Sequence, residues 1–440
     1  MRIFTIFFLL FVSVLSCNSR SSSDSSKDES ALGPLDKVVT YPVTVDLPTA
    51  LQDVDEKVSL STFVESIEYI PLKLKDNYLR NNFQACYYDE KAEKIIISDY
   101  EKAVVVNKKG DFLNRIGSVG QGPSEYIYLA AISTDPSRQK VYIYDGRTRS
   151  LKRYGYDGVF ERIVFKSEVP FIHFLFYYDD NFITKSNTYF YEYYQRKMQD
   201  KLYGYSLCDT LGHLIDTTPH LYHRLKDIAA VNYIQPIADN ITRCKDVMLM
   251  VEGGLADTIN TVSGNKITPR YFLKYGEGTM PDINKLWHPD NKVRVEGMNS
   301  SFFINSPAYE TPRYFFIKGE WKREKYIICH DKYKNRSFSV KYRDDTPEIK
   351  ENELHVNIGF RNDIDGGFDA YIGSVSSLGN YWVAYVDAYA MKTLLTDKHF
   401  ASRKDVLDKA AQEKLKALVK NLNDEDDPVL MLMKVRDNAK

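Results

Sequence analysis

Ile95–Ile116 reads IIISDYEKAVVVNKKGDFLNRI, and Val141–Ile163 reads VYIYDGRTRSLKRYGYDGVFERI. Both run as an apolar stretch closed by aspartate, a polar turn, a second apolar stretch, a glycine turn and a third stretch. Asp99 corresponds to Asp145, and Gly110 to Gly158. Aspartate opens turns by bonding its own backbone, and glycine supplies positive φ without a steric cost. The unit is therefore strand, turn, strand, turn, strand, repeating at about 50 residues. Fainter copies follow in YGYSLCDTLGHLIDT (203–217) and DTINTVSGNKITPRYFLKYG (257–276), which turn at Gly212 and Gly264. Later segments, such as YFFIKGEWKREKYIICHD and YWVAYVD, keep the pattern and lose the identities.

Short alternating runs broken by Gly, Asn and Asp specify strands. A lone sheet of this kind leaves one apolar face uncovered; radial stacking of sheets covers it. The expectation is an all-β, six-bladed β-propeller over residues 58–437, with seven blades as the alternative. The lone strands FVESIEYIPLK (63–73) and PVLMLMKVR (428–436) are expected to pair in one closing blade, which removes an exposed edge. One C-terminal helical insert is expected at 402–422. Ser402 and Asp405 would form its capping box, and Leu407, Ala410, Ala411, Leu415, Leu418 and Leu422 its apolar stripe.

Aromatics make up 13% of the chain, with 33 Tyr and 23 Phe, which suits strands. Lys and Arg number 59 against 60 Asp and Glu, so no basic footprint exists for a nucleic acid, and none is expected as partner. The N-terminus has its own logic. Arg2, the apolar run Ile3–Leu15 and then Ser16 make a secretory signal over 1–16. Cys17 closes VLSC, a lipobox, so cleavage before Cys17 and acylation of that residue are expected, anchoring the chain to a membrane. The segment 17–57 continues after Cys17 with NSRSSSDSSKDES and reads as an acylated, flexible tether. Asp24, Asp28 and Glu29 lie somewhat far from Cys17 to direct surface export, so an outer-membrane lipoprotein facing either the periplasm or the exterior is expected. Cys86, Cys208, Cys244 and Cys329 lack metal-ligand spacing; buried free thiols are preferred to disulfides.

The glycine-rich GSVGQGPSEY (117–126) imitates a phosphate loop. A P-loop needs lysine after its last glycine, and here Pro123 and Ser124 follow Gly122. The stretch reads instead as the turn between two blades. RNDIDGGFD (361–369) is the strongest local constellation. Asp363, Asp365 and Asp369 could offer hard oxygens to Ca²⁺, although the EF-hand spacing fails, and Arg361 would join them on a ligand-facing loop. The alternative is an Asp/Gly turn with no ligand. No resident metal or cofactor is expected. Trp287, in NKLWHPDNK, is the expected exposed tryptophan, able to stack on a sugar or anchor a partner; Trp321 and Trp382 are expected in the core. No GxSxG, HExxH or SxDxGxxW occurs, and His173, His220, His223, His330 and His355 are scattered.

YIPL (69–72), KGDFLNRIG followed by GQGPSEY, VYIYD with LKRYGYDGVF, NDIDGGFD and the closing DEDDPVLMLMKVR together resemble the six-bladed β-propeller lipoproteins of Gram-negative gut-type bacteria, distant relatives of NHL-repeat propellers. That resemblance implies the fold, the anchored location and often a setting of glycan utilisation, and no settled activity. The expected function is an envelope-anchored binding module for a glycan or partner protein. The rival is a lyase or glycoside-active enzyme using a metal or carboxylates in the channel funnel; a third reading is an accessory subunit of an uptake complex.

Overall fold

The computed structural model describes residues 39–79, 83–167, 172–186, 203–219, 240–244, 247–251, 256–286, 288–305, 307–342, 359–370 and 380–436. Six sheets form a six-bladed β-propeller. Blade 1 consists of Ala85–Asp89, Lys94–Ser98, Ala103–Asn107 and Phe112–Arg115, paired antiparallel in chain order. Blade 2 is Leu129–Asp135, Lys140–Asp145, Ser150–Gly155 and Phe160–Lys166; blade 3 is Ile172–Tyr178, Asn181–Ser186, Tyr203–Asp209 and Leu214–Pro219. Blade 4 is Asn240–Cys244, Val247–Val251, Thr258–Ser263 and Lys266–Lys274. Blade 5 joins Phe302–Ile304 and Tyr309–Glu310 to Tyr314–Trp321, Glu324–Asp331 and Arg336–Tyr342. In blades 1 and 2 the first strand is buried throughout and the fourth is half-exposed, as expected of strands at the axis and at the rim.

Blade 6 closes the ring as the terminal strands required. Val64–Pro71 pairs antiparallel with Val429–Val435, which pairs in turn with Tyr381–Val386. Phe63 enters the junction of blades 5 and 6, edge-on to Phe316 with ring centroids 4.7 Å apart, and Trp382 stands edge-on to Phe316 at 5.8 Å. Trp382 is thus a core residue. Trp321 is not: it is half-buried, and its indole N–H donates to the Gly278 carbonyl at 2.7 Å.

The repeat has a physical basis in its turns. Asp99 Oδ1 accepts from the amides of Glu101 and Lys102, and Asp145 Oδ1 from that of Arg147. Gly110, Gly158 and Gly212 all lie near φ +80°, at +82°, +82° and +86°. Each also abuts the outermost strand of the preceding blade. A Cβ would lie 2.0 Å from the Pro71 carbonyl at Gly110, 2.0 Å from the Arg115 carbonyl at Gly158 and 2.8 Å from the Phe165 ring at Gly212. Gly264 has φ +57° and open space around it.

Two expectations need correction. The segment expected as a tether, 17–57, contributes a strand and a helix to the fold. Val43–Asp46 adds a parallel strand to Lys266–Lys274, in register Val43 with Tyr271 through Asp46 with Lys274. Helix Leu47–Gln52 follows, capped by Asp46, whose Oδ1 accepts from the Thr49 amide at 2.9 Å. Val43, Val45, Leu47, Ala50 and Leu51 are buried, and Asp53 and Asp55 exchange backbone bonds with Ser339 of blade 5. The segment is a strap across blades 4 and 5, because its apolar residues alternate in the way a half-buried strand requires. Tyr41 pins its start: its hydroxyl donates to Glu310, which also receives Arg270 through two bonds of 2.6 and 2.7 Å and Lys332 at 2.6 Å. Burial works to raise the Glu310 pKa, and these cations overcome it and hold the group below its usual range.

The C-terminal insert likewise holds three helices rather than one: Ala388–Leu394, Asp397–Ser402 and Lys409–Asn421. Asp408, not Ser402, caps the last helix, accepting from the Ala411 amide at 2.8 Å. Ser402 ends the preceding helix. The chain between them is not helical, and the Leu407 and Asp408 amides donate to the carbonyls of Asp363 and Ile364. Leu415, Val419 and Leu422 face the core, whereas Leu407 is exposed.

Candidate binding surface

Among the residues singled out from sequence, Cys17 and Trp287 lie outside the described residues. Arg361 is exposed, and its carbonyl accepts from the Leu60 amide. The three aspartates of 361–369 do not converge. Asp363 Oδ2 accepts from Ser59 Oγ at 2.7 Å and Ser61 Oγ at 2.6 Å, and its Oδ1 from the Ser61 amide at 3.0 Å. Asp365 is fully buried, with Oδ1 accepting from Asn362 Nδ2, the Gly367 amide and Tyr69 Oη. Burial raises its pKa, opposed by the Gly367 and Asn362 bonds. Asp369 pairs with Arg403 at 2.9 Å and accepts from the Asn362 amide. The stretch is a knot that ties the chain before the closing strand to the C-terminal helices. Among the described residues no three His, Cys, Asp or Glu side chains are grouped to hold a metal ion.

GSVGQGPSEY is a self-contained turn between blades 1 and 2. The Glu125 carboxylate folds back on it and accepts from the Gly122 amide at 2.7 Å. Lys152 donates to the Glu125 carbonyl, and Tyr154 Oη to that of Ser124 at 3.1 Å. The backbone donors that a phosphate would need are already used: Gly122 donates to the Glu125 carboxylate, and Gly120, Glu125 and Tyr126 donate to the carbonyls of Tyr126, Gly122 and Ser118. The four thiols Cys86, Cys208, Cys244 and Cys329 are free and sit on four different blades, with the Cys208 thiol pushed by burial up to about 11.

A different set of residues forms the exposed chemistry. Tyr78, Tyr100 and Tyr128 are 67%, 38% and 45% exposed, whereas Tyr87, Tyr144, Tyr154, Tyr205 and Tyr271, which lie in strands, are buried. Tyr100 lies in the turn between the second and third strands of blade 1. Tyr128 immediately precedes blade 2, its carbonyl accepting from the Gly146 amide of the equivalent turn there. Tyr78 precedes blade 1, and Lys102 Nζ, from the Tyr100 turn, stands 4.4 Å from its ring centre. In an antiparallel blade these connections share one end, so the three phenols share one face of the ring. The Tyr100 pKa is raised, first by burial and then by Tyr128 close by. Ile127, beside them, is also exposed. The sequence signal was available: SDYEK puts a tyrosine in a turn directly after the turn-opening aspartate. In EYIYLAAISTD the strand begins only at Leu129, leaving Ile127 and Tyr128 outside it.

The fold and this surface define a six-bladed propeller closed by its terminal strands and carrying tyrosines on one face. The chain belongs to the family described as a domain of unknown function, DUF4934, which it matches over residues 42–434. No curated protein matches it. It is similar to the crystal structure of a Bacteroides fragilis protein described as exported, at 21% identity over 90% of this chain and 99% of that one, with a TM-score of 0.59. A member of the DUF4221 family from Bacteroides vulgatus aligns at 10% identity over 63% of this chain and 86% of that one, TM-score 0.37. BamB from Moraxella catarrhalis aligns at 9% identity over 63% and 68%, TM-score 0.36. The first of these likenesses is one of fold.

Proposed function

We propose that this protein is an envelope-anchored binding propeller that presents the Tyr78, Tyr100 and Tyr128 face to a glycan or to a partner protein of the envelope. The observation that carries the reading is that three exposed tyrosines stand together on one face of the ring beside Lys102. Tyrosine supplies broad apolar contact with a polar tip and few rotors to freeze, which suits sugar stacking and protein anchoring alike. The anchor is acylated Cys17, supported by the lipobox VLSC, and the location is the outer membrane, on its periplasmic or outer side.

Replacing Tyr78, Tyr100 and Tyr128 together by Ala is the test. Native and triple-variant proteins are compared on a glycan array and by pull-down from envelope extracts. A ligand or partner retained by the native protein and weakened at least tenfold by the variant supports the proposal. Retention unchanged by the variant overturns it. Cys17→Ala, followed by labelling with an alkyne palmitate analogue, checks the anchor: label that persists on the variant excludes acylation at that residue.

A further inference from the structure

The N-terminal strap does more than cover an edge. Between its strand Val43–Asp46 and blade 5 lies a groove of about 610 Å³, within the range typical of small-ligand sites. Asp46, Asp53, Lys274, Arg336, Asn335 and His330 line it, with the hydroxyls of Thr44 and Ser337 between them. We propose that this groove is a second ligand site and takes an uncharged, polyhydroxylated molecule, a saccharide.

The charge arrangement selects that class. Asp46 is paired with Lys274 at 2.8 Å, and Arg336 grips both oxygens of Asp53 at 2.8 and 2.9 Å. The groove is therefore electrically balanced. An anion entering it meets two carboxylates, a cation meets an ammonium and a guanidinium, and either must break an existing pair to be matched. A hydroxyl-bearing ligand needs neither. It donates to the free lone pairs of Asp46 and Asp53, and accepts from Lys274, Arg336 and the Asn335 amide. His330 adds an independent pointer. It is 1% exposed, its Nδ1 contacts Ser337 Oγ at 2.9 Å, and its buried Nε2 has no hydrogen-bond partner. Buried polar atoms of folded proteins are almost always satisfied, so an unpartnered ring nitrogen on a residue that lines the groove is an unexplained polar group beside it. Burial lowers the His330 pKa to about 4, so the ring is neutral at physiological pH. A neutral ring nitrogen and a serine hydroxyl both switch between donor and acceptor, as a sugar hydroxyl does. The tyrosines of blades 1 and 2 take no part, so this site stands or falls separately from that face.

The test uses full-length protein in mild detergent, isothermal titration calorimetry and hydrogen-exchange mass spectrometry. The probes are maltotetraose, cellotetraose, xylotetraose and mannotetraose, with tetragalacturonate and the fully deacetylated chitosan tetramer as charged counterparts. At least one neutral tetrasaccharide is expected to bind one-to-one and to slow exchange in peptides covering 40–53 and 335–337. Charged counterparts are expected to bind at least tenfold more weakly. Asn335→Gly keeps the residue's φ of +50° accessible, and Thr44→Val keeps the strand's shape. Each is expected to weaken binding at least tenfold with an unchanged circular dichroism spectrum, while Tyr78→Ala leaves it intact. Four silent neutral probes, protection only outside the groove, equal binding of charged probes, or native affinity in both groove variants would each overturn the proposal.

Discussion

Replacing Gly158 by alanine asks two things of the fold at once, and the structure separates them. The first is conformational: a residue with a Cβ in the left-handed region costs about 1–2 kcal/mol. Restricting the unfolded chain returns about 0.4–1 kcal/mol of this. The second is steric. At φ +82° the new Cβ lies 2.0 Å from the Arg115 carbonyl oxygen of blade 1, so one of two backbones must move by about 1 Å, an overpacking cost of about 1–3 kcal/mol. Gly158→Ala is expected to lose about 3 kcal/mol. Gly264→Ala has the conformational component alone, since nothing lies within 4 Å of its Cβ, and is expected to lose about 1 kcal/mol. Urea denaturation followed by far-ultraviolet circular dichroism reads both at constant m-value. Equal midpoints for the two variants would refute the claim that these glycines exist to let one blade's turn press on its neighbour's backbone.

Asp363→Ala is expected to destabilise the protein by about 2 kcal/mol through loss of three hydrogen bonds to a carboxylate, and millimolar Ca²⁺ is expected to leave the native midpoint unchanged; a Ca²⁺-dependent rise in the native protein that the variant lacks would restore the cation reading of 361–369. Glu310→Gln leaves Arg270 and Lys332 buried without their counter-charge and is expected to cost about 3–5 kcal/mol, read by the same denaturation. For His330, the folded pKa of about 4 lies below the unfolded 6.5, so the unfolded state binds more protons between them. Stability is therefore lost as pH falls from about 6.5 to about 4, and His330→Gln should flatten that part of the profile; an unaltered slope would show that other groups carry it. Iodoacetamide at pH 8 is expected to leave Cys86 and Cys329 unmodified in the native protein and to label them fully in urea, since burial raises both thiols.

The local rules of this protein are written in its sequence. Turn aspartates, positive-φ glycines and alternating apolar runs depend on residues a few positions apart, so Asp99, Asp145, Gly110 and Gly158 announce blades without any tertiary information. The closing strands were legible because an unpaired edge at each end of the chain has one economical partner. The Gly117–Tyr126 turn was legible because proline stands where a phosphate loop needs a lysine.

What remained hidden depends on distant partners. Nothing in VTVD and LPTALQ names Tyr271 and Leu273 as neighbours, so a strap read as a tether, and the groove it makes with blade 5 was invisible. In RNDIDGGFD the spacing put three carboxylates within seven residues, but spacing does not set direction. Their partners come from Ser59, Ser61, Tyr69 and Arg403, brought in from both ends of the chain only by ring closure. A tyrosine's burial is equally a property of what packs against it, which is why Tyr126 is core and Tyr128 is surface though both sit in EYIYLAA. Sequence alone determined the repeating unit, since each turn and strand is a local energy minimum. The tertiary structure decided which polar groups face each other and which face solvent, because those choices are made by chain closure over hundreds of residues.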